Sequence, residues 1–189
     1  SYVFCLRHGR YLSHIYYGAK IDDTDVTDWK TGQVYAFSPY VKEIGEGFSL
    51  DTELLEYSCF GTGDMRADAL RIRRPNGCRD TLAVYVGHKI IEGRLPLNGL
   101  PHSRDAAGVQ TLIITEEDPL SGARIKLCYS VYAKENVLAR YQIIENIGKE
   151  PFFIEKSASC CLDFYYDEQK VISLPGGYGY EQRLQQAPL

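Results

Sequence analysis

The stretch "ARIKLCYSVYA", residues 123 to 133, alternates apolar and polar side chains with period two. On an extended chain this puts Ile125, Leu127, Tyr129 and Val131 on one face and Lys126, Cys128 and Ser130 on the other. A helix would scatter the same residues around its axis, so the segment reads as a strand with one buried face. The pattern recurs on either side, in "DTLAVYVGHKIIEG" (80–93), "VQTLIITEED" (109–118), "VLARYQIIEN" (137–146) and "PFFIEKSASCCLDFYY" (151–166). Near the start, "SYVFCL" and "YLSHIYYG" flank "RHGR" (7–10), a hairpin whose Gly9 can take positive φ. Turn chemistry separates the rest: "RPNG" at 74–77, "EEDPLSGA" at 116–123 and "NIGKEP" at 146–151. No segment of a dozen or so residues carries an apolar stripe of helical period with credible caps. The fold class is therefore all-β, a large antiparallel β-sandwich with few or no helices.

A chain of 189 residues supplies one sizeable core and is short for two complete domains. Its net charge of −4 argues against a nucleic-acid binder, which would present a basic face. No apolar run approaches the roughly 20 residues needed to cross a bilayer, and "SYVFCLRHGR" lacks the apolar stretch of a secretory signal. The six cysteines include no C-x-x-C pair, so free, mostly buried thiols in a reducing, cytoplasmic compartment are expected. Two stretches read as loops, 19–52 and the tail "LPGGYGYEQRLQQAPL" (174–189). A chain that begins in a strand and stops in a linker reads as part of something longer.

Several features invite chemistry. The acids Asp22, Asp23, Asp25 and Asp28 lack the glycine and the closing glutamate of an EF-hand, and read as a solvated loop. His8, His14, His88 and His102 are scattered without metal-ligand spacing. Neither a metal nor an organic cofactor is expected. Trp29, the single tryptophan, can stack on a sugar face or pin its own loop down. In "GTGDMRADALRI" (61–72), Gly61 and Gly63 loosen the backbone before Asp64 and Arg66. That acid and base can bind vicinal hydroxyls. They can equally belong to an Asp-capped turn with Arg66 paired internally. Local chemistry leaves both readings open.

The wording and order of "SYVFCLRHGRYLSHIYYG", "EYSCFGTGDMRADALRI", "GLPHS", "QTLIITEEDPLSGARIKLCYSVY", "VLARYQIIENIG", "SASCCLDFYY" and "ISLPGGYGYEQRLQQAPL" resemble the N-terminal domain of glycoside hydrolase family 36, the microbial α-galactosidases. The resemblance covers nearly the whole chain. Two departures are local: Ala67 and Asp68 replace a more aliphatic, proline-containing pattern, and Gln182 separates Glu181 from Arg183. The resemblance implies a supersandwich-like domain, residues 1–174, with 175–189 beginning a linker toward a (β/α)₈ catalytic barrel. The barrel would carry both catalytic aspartates of a retaining galactosidase, so no catalytic residue is expected here. It also implies a homo-oligomer, a tetramer, in which Asp64 and Arg66, with Trp29 as a weaker candidate, reach a galactoside bound in a neighbouring subunit. The alternative is a free-standing carbohydrate-binding β-sandwich that stacks sugars on exposed tyrosines and Trp29.

Overall fold

The computed structural model describes all residues except 23–33, 36, 46, 63–65, 100, 103, 105–106, 163–168 and 189. Among the described residues ten strands follow one another: β1 (Tyr2–Arg7), β2 (Tyr11–Tyr17), β3 (Leu70–Arg73), β4 (Val84–Glu92) and β5 (Gln110–Asp118) come first. They continue with β6 (Ala123–Tyr132), β7 (Val137–Asn146), β8 (Phe153–Ser157), β9 (Lys170–Ser173) and β10 (Gln185–Pro188). Every named strand pairing is antiparallel, and no helix occurs among the described residues.

The β1–β2 hairpin pairs from Arg7↔Tyr11 to Tyr2↔Tyr17, with a bulge that shifts the register between Val3 and Phe4. Its turn takes positive φ at His8 (51°) and at Gly9 (67°), where glycine meets no Cβ clash. The largest sheet is a meander, in order β4-β5-β6-β7. Asp118 builds its central turn: the carboxylate accepts the N–H of Leu120 at 3.2 Å and of Ser121 at 3.1 Å, plus the Ser121 hydroxyl at 2.6 Å. Gly122 (φ 71°) then brings this turn against the next one. A Cβ at Gly122 would lie 2.7 Å from Gly148 Cα, so no other residue fits there without a backbone shift.

β3 pairs with β8, and β9 with β10. Short contacts knit these pieces together: a bridge joins Ser13 to Leu55, a parallel bridge joins Cys59 to Leu70, and Tyr85 N–H donates to Arg10 C=O at 2.8 Å. The core forms where Leu12, Tyr57, Leu70 and Ile72 meet Ile114, Ile125, Leu127 and Tyr129 of the meander. Each large apolar side chain so buried contributes roughly 1.5–3 kcal/mol. The result is an all-β sandwich. A smaller cluster of Tyr11, Phe48 and Leu55 holds part of the 41–55 stretch, with the Tyr11 and Phe48 rings stacked 5.5 Å apart.

The structure departs from the sequence reading in four places. Val131, expected inside, is 47% exposed, while Cys128 and Ser130, expected outside, are buried. β6 has β5 and β7 on its two sides, and from Leu127 to Ser130 both of its faces are covered, so alternation fails there. Of the strand expected over 151–166, the described part forms β8 at Phe153–Ser157, paired with the four-residue β3, while 163–166 lie outside the described residues. The tail, read as irregular, carries β10, which returns to pair with β9. All six cysteines are free as expected, but only Cys59 and Cys128 are buried; Cys78 and Cys160 are exposed.

Candidate functional site

The stems of the 61–66 loop are zipped into the core. Phe60 N–H donates to Leu70 C=O at 3.0 Å, Ala69 N–H to Ser58 C=O at 2.9 Å, and Leu70 N–H to Ser58 C=O at 3.1 Å. Gly61 takes φ 88°, and Thr62 Oγ1 donates to Cys59 C=O at 3.2 Å. Half-buried Arg66 directs Nη2 toward Leu55 C=O at 3.4 Å, at the loop's base. Asp64 and Trp29, the other sugar-contact candidates, lie outside the described residues, as do Asp23, Asp25 and Asp28. Asp22 is solvated, its side chain 98% exposed. Asp68 accepts a 2.7 Å bond from Arg71 Nη2, and the Arg71 guanidinium sits over the Phe60 ring at 4.7 Å. These contacts tie the loop's exit to β3.

Beneath the loop lies a polar cluster that sequence reasoning missed. Glu56 is fully buried. Its Oε1 accepts the hydroxyls of Tyr2 at 2.5 Å and Tyr129 at 2.8 Å, and pairs with Arg140 Nη1 at 2.9 Å. Its Oε2 lies 3.1 Å from His14 Nδ1, and Arg140 Nη2 donates to the Glu56 C=O at 3.0 Å. Burial, with the neighbouring Glu56 carboxylate, pushes the Tyr2 and Tyr129 hydroxyls well above the usual phenol range. Glu116 is buried nearby, and its Oε2 finds no hydrogen-bond partner among the described residues. Desolvation, then the charge on Glu56, raises the Glu116 carboxyl to about 8, so it holds its proton at neutral pH. The cluster joins β1, β2, β6 and β7 to residues 53–59. No substrate reaches a carboxylate with no exposed surface, so its role is to fix the segment that feeds the loop.

Tyr2 and Tyr129 also border a cleft of about 760 Å³ that is walled by Phe4, Tyr17, Leu112 and Tyr132 among others. Both hydroxyls point to Glu56, so these two tyrosines offer the cleft ring carbon. Among the described residues, no carboxylate lines the cleft. Among the described residues, no group of three or more His, Cys, Asp or Glu is placed to hold a metal ion.

Residues 10–189 match the glycosyl hydrolase family 36 N-terminal domain. The chain belongs to that family. It is 36% identical to α-galactosidase AgaA of Geobacillus stearothermophilus over 100% of its own length and 26% of the relative's. It is 33% identical to α-galactosidase Mel36A of Lactobacillus acidophilus, over 98% of this chain and 26% of that protein. Superposed on the crystal structure of AgaA it gives a TM-score of 0.89 at 34% identity, covering 100% of this chain and 26% of that one. A variant of AgaA solved in complex with raffinose gives 0.90 at 35% identity with the same coverage. The chain thus spans about a quarter of the length of the family 36 relatives it matches.

Proposed function

We propose that this family 36 domain is the non-catalytic N-terminal part of an α-galactosidase, which hydrolyses terminal α-galactosides with retention when its catalytic barrel is attached. The single observation that carries this reading is the family match over residues 10–189, set beside the 26% share of each relative that the chain spans. In this reading residues 1–174 are the sandwich and 175–189 lead toward the barrel. The full-length enzyme works in the cytoplasm, in keeping with six cysteines that form no disulfide.

The full-length protein is a homo-oligomer, a tetramer, in which the 61–66 loop closes the galactose pocket of an adjacent subunit. Asp64 accepts and Arg66 donates hydrogen bonds to sugar hydroxyls there, with Trp29 a lesser contact. The hydrogen-bonded stems of the loop support this reading, since ends already held in place need not be fixed on binding. Asp64→Ala and Arg66→Ala in the full-length enzyme are expected to lower kcat/KM at least tenfold, about 1.4 kcal/mol of transition-state binding. Unchanged kinetics in an intact tetramer would refute the contact. The aromatic cleft favours a second reading, a free-standing sugar-binding sandwich. Quenching of tyrosine fluorescence by galactose or raffinose in the chain alone would support it.

A further inference from the structure

The turn at residues 74–80 presses against the loop and is itself staked to β8. Gly61 has no side chain between its backbone and Asp80: a Cβ there would lie 3.0 Å from Asp80 Cα and 3.2 Å from Asp80 Cβ. Thr81 N–H donates to Phe60 C=O at 3.0 Å, so the two backbones are bonded as well as touching. Asp80 is steered from behind by Arg74, whose Nη2 reaches Oδ1 at 2.7 Å. The turn is closed by Arg74 N–H to Cys78 C=O and by Gly77 N–H to Arg74 C=O, both at 2.9 Å. One carboxylate anchors its two ends. Glu155 of β8 receives Arg73 Nε at 2.8 Å, Arg79 Nε at 2.7 Å and Arg79 Nη2 at 3.2 Å.

An arrangement of this kind contributes little to stability. Arg79, Glu155 and Asp80 are partly to half exposed, and ion pairs in that setting add little to stability. Two arginines on one carboxylate do, however, fix direction, since each fork restricts where the backbone that carries it can lie. The direction they fix is that of Asp80 against Gly61.

We infer that Glu155, acting through Arg79, Arg74 and Asp80, is a positioning residue that sets where the described ends of the loop, Gly61, Thr62 and Arg66, stand relative to the sandwich. This deepens the proposed function and rests on that reading, in which the loop meets a galactoside. Glu155 touches no substrate. Its effect on binding runs through the backbone contact at Gly61.

The test uses the full-length enzyme and an aryl α-galactoside. Glu155→Ala is expected to raise KM about tenfold while kcat stays within about twofold, because a displaced loop loses binding shared by ground and transition states. Its melting temperature is expected to stay within a few degrees of the parent, and Glu155→Asp to recover part of the lost affinity. Hydrogen exchange of peptides covering 56–62 and 79–85 should quicken in Glu155→Ala, since both ends of the Phe60–Thr81 bond lie there. Gly61→Ala attacks the same contact from the other side and should reproduce the KM rise. Arg66→Ala separates the two levels of the claim. If it raises KM while Glu155→Ala and Gly61→Ala leave KM unchanged, the loop meets sugar and the buttress is refuted. If Arg66→Ala also leaves KM unchanged, the loop reading fails and the buttress falls with it.

Discussion

Glu116 shows what the interior asks of a single side chain. Its carboxyl is raised from an ordinary 4.5 to about 8, first by burial and then by the charge of Glu56. The folded state therefore binds a proton that the unfolded chain releases above pH 4.5 or so. The stability this proton provides is complete below that value and is lost as pH rises toward 8, at up to about 1.4 kcal/mol per pH unit. Glu116→Gln keeps a neutral side chain of the same shape. Denaturant titrations at several pH values should therefore show the stability gap between variant and parent widening in the variant's favour from pH 5 to 8. Parallel curves would mean that Glu116 is ionised in the fold. Little of this cluster is legible in sequence. The partners of Glu56 stand 54, 73, 84 and 42 residues away, at Tyr2, Tyr129, Arg140 and His14. Only the fold collects them; the one local hint is an acid between the apolar residues of "LLEYSCF". Arg66 was legible as a polar residue on a loop, but its reach to Leu55 C=O depends on how the loop folds back.

At the scale of elements, local rules carried most of the fold. Gly9 and the 116–123 turn with Gly122 mark hairpins that form, and the four strands of the meander follow their period-two signal. The signal misleads where a strand is covered on both faces. Period two alone makes Val131 equivalent to Leu127, whereas Leu127 is 0% and Val131 47% exposed. Leu127→Ala should therefore cost about 2–5 kcal/mol by leaving a cavity. Val131→Ala should stay within about 1 kcal/mol, as surface substitutions do. Urea midpoints of the two variants check this, and equal losses would contradict the exposure of Val131. β10 escaped notice because "QQAP" has no alternation and includes a proline. Proline is tolerated at a strand's end, where Pro188 faces Lys170.

The whole molecule leaves apolar side chains on its surface. Val86 and Ile90 of β4 are 55% and 64% exposed, and Ile172 of β9 is 62% exposed. Such a surface fits a domain that the rest of a longer polypeptide covers, and the chain spans only 26% of its relatives. Composition argued against a nucleic-acid binder and periodicity indicated the sandwich, but neither says what the sandwich serves. That information resides in the family match over residues 10–189. The central claim is tested by assaying an aryl α-galactoside with two proteins side by side, the 189-residue chain and the full-length polypeptide that contains it. Enzymic turnover by the full-length protein and background by the chain alone is the predicted result. Turnover by the chain alone would place a nucleophile inside the sandwich and contradict the account, and so would a folded full-length protein inactive on α-galactosides.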